Sequence, residues 1–216
     1  MLSLKDLDVV GRTYRNINRY RQILAILFKY GFGNIVDALK IDQYLEVGLK
    51  VISRKKKETV ERYSQPERVR LLFEELGPTF IKFGQILSTR PDLIPVEFIY
   101  ELEKLQDHVP EFPFSEVEKI LSKEFRNGDY PFDSMEENPF ASASIGQVHL
   151  ARLKNGKKVA VKIQRPGIRK QIAVDLEILN HLATLVERHI MDLSFFRPVK
   201  IVEEFAETLE KEMDYT

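Results

Sequence analysis

Apolar residues near the N-terminus recur at intervals of three and four: Tyr14, Ile17, Tyr20, Ile23/Leu24 and Leu27/Phe28. That spacing predicts a helical segment through roughly residues 10–52, interrupted near Gly31 and Gly33. Arg12, Arg15 and Arg19 form a basic face beside the stripe. It can lie on an anionic membrane, although the commoner use of such a stripe is packing against the protein's own core. A charge run follows at residues 54–57, read as a solvated helix face or linker. Residues 75–95 then read as a helix with Pro78 in its first turn, stopped before Pro91. Pro95 to about Gln106 gives another. Ser115 with Glu118 forms an S-x-x-E capping box that starts a helix ending near Asn127-Gly128.

After Asp129 the period changes. Residues 148–153 and 158–164 alternate like strands, and Asn155-Gly156 between them signals a type I′ hairpin. A long helix is expected over about residues 168–190, with Ile172, Leu176, Leu179, Leu182 and Val186 on one stripe. A last helix opens at Pro198 and buries Val199, Val202, Phe205, Leu209 and Met213. Helices come first, then a loop, a hairpin and two helices, which predicts an α+β fold behind a helical extension. The division is placed at 1–112 and 113–216.

Composition removes several classes of function. The 216 residues carry 33 Lys+Arg and 33 Asp+Glu, so no global basic field points to nucleic acid. The charge is uneven: residues 1–70 hold fifteen Lys/Arg against eight Asp/Glu. Without cysteine there is no disulfide, thiolate zinc site or cysteine nucleophile. The longest purely apolar run, residues 23–28, is far shorter than the roughly 20 residues of a membrane span, and no signal peptide is evident. His108, His149, His181 and His189 lack metal-ligand spacing and read as structural. No residues are assigned to a metal.

The chemistry concentrates in two stretches. "NPFASASIGQVHLA" (138–151) keeps the spacing of a glycine-rich phosphate loop, with Ala141, Ala143, Gly146 and Val148 in place of G-x-G-x-x-G-x-V. In "KKVAVKIQ", Val159, Val161 and Ile163 alternate onto one face while Ala160 and Lys162 share the other. V-A-V-K fits the kinase strand motif in its expected place, so Lys162 is the candidate phosphate-binding ammonium. Such a lysine needs a carboxylate to hold it extended. Glu212 is the first choice and Glu204 the fallback. Lys82 and Gln85 in "KFGQ" share a helix face within an apolar surround. Gly84, mid-helix at a cost of about 1 kcal/mol against Ala, implies a close backbone approach.

With these residues in view, the chain resembles the UbiB family of atypical kinase-like proteins, which includes the ADCK proteins. "LGPTFIKFGQILSTRPDLIP" is similar to the family's KxGQ signature, "FASASIGQVHLA" to its alanine-rich loop, "VAVKIQRPGI" to its lysine strand and "EMDY" (Glu212, Asp214) to its ExD motif. Ser142 departs from the pattern, since many members have a third alanine there. The resemblance implies a kinase-like small lobe in which Ala141, Ser142, Ala143, Ser144, Val148, Ala160 and Lys162 bind ATP or ADP. Lys82 and Gln85 would gate the cleft. It implies Mg²⁺ use only with a large lobe that would follow Thr216, so the 216 residues alone are expected to show no appreciable ATP turnover and to be adhesive at the cleft face. It further implies an ATPase or atypical kinase supporting ubiquinone-type lipid synthesis, at the cytoplasmic side of a membrane if bacterial. Expected partners are nucleotide and a membrane surface or quinone-pathway proteins, with no nucleic acid. A non-catalytic pseudokinase-like scaffold is the alternative, and a purely helical lipid-surface protein the third reading.

Overall fold

The computed structural model describes residues 4–41, 62–106, 111–125 and 129–214, with side chains from Ile17 onward except that of Leu193. The fold is α+β. Helices α1 (Leu4–Lys29), α2 (Gly33–Ala38), α3 (Gln65–Leu76), α4 (Pro78–Leu87), α5 (Val96–Leu102) and α6 (Phe114–Glu124) precede strands β1 (Phe132–Met135), β2 (Ala141–Ala143), β3 (Gly146–Leu153) and β4 (Lys158–Gln164). Helices α7 (Ile168–His189), α8 (Met191–Ser194) and α9 (Pro198–Met213) follow. The four strands form one antiparallel sheet, with β3 pairing β1, β2 and β4.

Several expectations shift in detail. The N-terminal helix breaks at Tyr30-Gly31, as the glycines predict, and the charge run at 54–57 lies outside the described residues. Helix α3, unread in the sequence, opens at Ser64, whose hydroxyl accepts from the Glu67 N–H while the Glu67 carboxylate accepts from the Ser64 N–H. The working capping box is therefore Ser64/Glu67. At α6 the N-cap is Pro113 and Ser115 lies inside the first turn, where its hydroxyl caps nothing. The β3–β4 connection also differs from the expected two-residue turn. It spans residues 154–157, the Gly156 N–H donates to Leu153 O at 2.8 Å, and only Gly156 takes a positive φ, 84°. A type I′ turn needs positive φ at both central residues.

The main core joins the first helices to the last. Ile23 and Ile26 of α1, Leu72 and Leu76 of α3 and Phe80 of α4 pack with Ile172 and Leu179 of α7 and Val202, Phe205 and Leu209 of α9. In α9 the predicted stripe holds, with Val199 and Met213 partly buried at its ends. A polar knot ties this core. Asp175 of α7, fully buried, accepts from Arg19 Nε at 2.6 Å and from the Thr79 hydroxyl at 2.6 Å. The same guanidinium donates to Leu76 O at 2.6 Å. Of the basic face proposed on α1, Arg19 therefore points into the protein, while Arg12 and Arg15 lie outside the described side chains.

Helix α5 is clamped to α3 by charge. Glu101 accepts from Arg70 Nε at 3.0 Å and pairs with Lys104. Burial opposes its ionisation, but the two cationic donors win and hold its carboxyl below the ordinary 4.5. A depressed carboxylate contributes stability above its unfolded pKa, and that contribution is lost as pH falls through the folded value. Glu101→Gln should accordingly flatten the acid limb of stability below about pH 4.5, read as Tm against pH. An unaltered acid limb would show the clamp to be energetically idle.

Candidate functional site

Strand register decides which residues share a face. Ala141 lies opposite Val148, which lies opposite Lys162 on the next strand, and Leu150 lies opposite Ala160. Directly paired residues project to the same side of a sheet and neighbours along a strand alternate. One face therefore carries Ala141, Ala143, Val148, Leu150, Ala160 and Lys162. Ala141, Ala143, Ala160 and Lys162 are exposed. The result is a surface of small side chains that carries Lys162, with Lys158 and its pair partner Arg152 exposed farther along the same face.

The opposite face is buried. Gln147, His149, Ala151 and Ile163 project toward α6, where Val117 and Leu121 meet Ile163 and Phe112. Gln147 acts as a backbone mimic. Its Oε1 accepts from Phe112 N–H and its Nε2 donates to Phe112 O, both at 3.2 Å. His149 Nε2 lies 2.9 Å from Gln147 Nε2 and its Nδ1 lies 2.8 Å from Glu136 O. Since the amide can only donate, the ring accepts at Nε2 and donates from Nδ1, a neutral tautomer with a structural role. Ser142 shares this buried side, and its Oγ has no hydrogen-bond partner among the described residues.

The alanine-rich segment is a strand and a tight turn, rather than the loop expected from the sequence. Ala143 pairs with Gly146 across Ser144 and Ile145. Among the described residues only Lys40 and Arg197 are non-glycine positions with positive φ, so no residue of this turn uses the left-handed region. Alanine thus costs nothing at 141 and 143 in this conformation. The turn is also pinned. Ile145 is 2% exposed within the main helical core, and its carbonyl accepts from Arg165 N–H at 2.9 Å. Ser144 is buried with it.

Helix α4 carries the K-x-G-Q residues, and each has a distinct neighbour. Lys82 Nζ lies 2.6 Å from Glu212 Oε1 on α9. Gln85 Nε2 donates to Leu105 O at 3.0 Å, holding the single-turn helix at Glu103–Gln106. A Cβ at Gly84 would sit 2.4 Å from Leu105 Cδ1 and 2.7 Å from Phe73 Cδ2, the close approach the sequence implies. Gly84→Ala should destabilise the chain by about 1–3 kcal/mol through overpacking. Chemical denaturation would check it, and a stability gain would mean that α4 stands off from Phe73 and Leu105.

The two carboxylates considered for Lys162 lie in different company. Glu204 accepts from Arg90 at 3.3 Å, with Lys200 at 4.0 Å, whereas Glu212 is engaged by Lys82. The C-terminal end of α9 abuts the end of β4, where Arg169 and Gln164 donate to Met213 O at 2.6 and 3.4 Å. Asp214 lines an open depression of about 430 Å³ there with Arg169, Glu207, Glu210 and Lys211. Among the described residues no three His, Asp or Glu side chains converge as metal ligands. Nor is any helix long and apolar enough to cross a membrane. Sequence reasoning missed Gln147 beneath the sheet and, in the helical core, Asp175, Thr79 and the inward Arg19.

Comparison with known proteins adds a family. The ABC1 atypical kinase-like domain matches residues 104–216. A "Probable protein kinase UbiB" of Cellvibrio japonicus is 44% identical over 154 residues, covering 71% of this chain and 28% of the relative. Another of that description, from Xylella fastidiosa, is 40% identical over 197 residues, covering 89% and 35%. A Clostridium pasteurianum protein described as "Uncharacterized protein in hydrogenase 1 5'region" is 40% identical over 201 residues, covering 93% and 34%. The chain thus spans about a third of the length of these relatives. Among solved structures, the Rv3197–erythromycin complex of Mycobacterium tuberculosis is 34% identical with a TM-score of 0.42, covering 61% of this chain and 34% of that one.

Proposed function

Because the chain belongs to the ABC1 atypical kinase-like family, we propose that its exposed sheet face binds ATP or ADP as the small lobe of a UbiB-type atypical kinase or ATPase. The observation that carries this reading is the register that sets Ala141, Val148, Ala160 and Lys162 on one open face. Small side chains leave room for a planar base against Val148 and Ala160, and Lys162 supplies a cation for phosphate oxygens. The backbone of Ala141 to Ser144 covers the phosphates, as a pinned turn rather than a mobile one, with the Ser142 and Ser144 side chains turned inward. Lys82, through Glu212, and Gln85, through Leu105, hold α4 beside the cleft as its gate. Glu212 is the acidic partner we assign to Lys162, shared with Lys82. Bound nucleotide would bring a transferable phosphoryl group. Mg²⁺ would be held by acids of the large lobe that the resemblance implies.

In biological terms, the proposed role is support of isoprenoid-quinone synthesis at a membrane surface, with residues 1–112 as the helical extension and 113–216 as the lobe. The Lys82–Glu212 pair favours a second reading, a pseudokinase-like scaffold, because it occupies the carboxylate that Lys162 would use. Calorimetric titration separates the two. Lys162→Ala should weaken ATP and ADP alike by roughly 1.5–3 kcal/mol, the worth of a charge-assisted hydrogen bond. No nucleotide binding by the unaltered chain would leave the scaffold. Ala143→Gly should shift ATP relative to ADP. It opens backbone angles at a cost of about 0.5–1 kcal/mol and frees an N–H toward the phosphates. Identical affinities in all three proteins would reduce this turn to ordinary packing.

A further inference from the structure

Between β1 and β2 the chain leaves β3 and returns to it at an aromatic residue. Glu136 N–H donates to Leu150 O at 2.9 Å, and pairing resumes where Phe140 N–H donates to Val148 O at 2.7 Å. Pro139, with no N–H to offer the ladder, sits in the excursion between them. Ala141 also lies opposite Val148. Two residues against one make a β-bulge, a device that re-aims a side chain beside a site. Phe140 and Ala141 thereby project to the side of Val148, the open face. The Phe140 ring is 71% exposed, whereas the opposite face lies buried beneath α6.

That placement sets a ring beside a surface otherwise made small, where Ala141, Ala143 and Ala160 each offer a single methyl. A phenyl ring in water gains most from a flat partner that covers its face. A nucleobase is such a partner, and it stacks on a ring whatever hydrogen bonds its edge makes. The charged end of a nucleotide is provided for elsewhere on the same face. Ala143, at the mouth of the turn, stands three residues beyond Phe140, roughly 10 Å at 3.3 Å per residue. Lys162 lies two strands across from Phe140, by way of Val148, at a like distance. Base and phosphates therefore have separate holders.

We propose that Phe140 binds the base of the nucleotide, its ring packed on the heterocycle while Val148 and Ala160 line the site and Lys162 takes the phosphates. The assignment rests on the nucleotide reading above and divides its site into a base end and a phosphate end. Affinity for a ligand that carries a base then depends on Phe140, and affinity for a bare polyphosphate does not.

Calorimetric titration with ATP, ADP and inorganic tripolyphosphate tests it. Phe140→Ala should weaken ATP and ADP alike by roughly tenfold and leave tripolyphosphate unchanged, whereas Lys162→Ala should weaken all three. Phe140→Tyr should bind ATP as the unaltered chain does. Phe140→Leu should fall between, since it keeps apolar cover without a ring. The side chain is exposed, so Tm should hold in each Phe140 variant. The chain has no tryptophan, so Phe140→Trp adds a lone reporter whose emission should change with ATP and not with tripolyphosphate. Equal ATP affinity in Phe140→Ala and the unaltered chain would overturn the assignment and leave the nucleotide reading standing. An equal loss for tripolyphosphate would overturn it too, by making Phe140 a support of the turn. Failure of the unaltered chain to bind ATP would instead remove the nucleotide reading itself, and the assignment with it.

Discussion

Asp175→Ala is expected to cost about 3–5 kcal/mol of stability, the toll of stripping one partner from a buried ion pair. The carboxylate is fully buried, and the Arg19 side chain it leaves behind is only 15% exposed. Thr79 would lose its acceptor as well. At roughly 2–4 °C per kcal/mol for a chain of this size, Tm should fall on the order of 10 °C. The pair is a weak source of net stability but an expensive thing to break, so Arg19→Met/Asp175→Leu should recover most of the loss. Thermal unfolding followed by circular dichroism checks both. A drop below about 1 kcal/mol for Asp175→Ala would mean that the knot is hydrated and does not tie α1, α4 and α7 together.

The second large effect is expected at Gln147, which is fully buried. Gln147→Ala removes both hydrogen bonds to the Phe112 backbone and the one to His149. Each buried group left without a partner costs about 1–3 kcal/mol, so the sum after relaxation should be roughly 3–5 kcal/mol. The damage should be local, loosening the segment before α6 from β3. Hydrogen exchange would show lost protection at Phe112 and across β3, with the α1–α7 core unchanged. Uniform loss throughout the chain would contradict this and make the sheet and helices a single cooperative unit.

Much of the helical scaffold is legible because its signals are strong and local. The stripes of α7 and α9 run for four or more turns, and Gly31, Pro78, Pro91 and Pro198 punctuate the chain where the elements change. Strands β1 and β2 are not legible for an equally physical reason. Each has at most four residues, "ASA" has little intrinsic strand preference, and both exist through pairing with β3. The two S-x-x-E boxes read alike in sequence. Pro113 claims the N-cap in front of Ser115, whereas Ser64 has Gln-Pro ahead of its glutamate and caps α3.

At the site, alternation along "KVAVKIQ" places Ala160 and Lys162 together, and the register adds Ala141 and Val148. Gln147 lies one residue ahead of the strand read over 148–153, and nothing in the pattern names Phe112 as its partner. Asp175 did leave a trace. It interrupts the apolar stripe between Ile172 and Leu179, and an aspartate on the buried side of a helix requires a cation. The partner, Arg19, is 156 residues away in sequence, beyond any local reading.

The central claim is that nucleotide lies on the small-residue face of the sheet, and amide chemical-shift mapping tests it most directly. With isotope-labelled chain titrated with ATP, shifts are expected at Ala141, Ala143, Val148, Ala160 and Lys162 and not at His149, Ala151 or Ile163 on the buried side. Lys162→Ala should abolish those shifts at the same ATP concentration without altering the spectrum of the helical core. Shifts centred on α4 and α9, or surviving intact in Lys162→Ala, would contradict the assignment of this face as the nucleotide site.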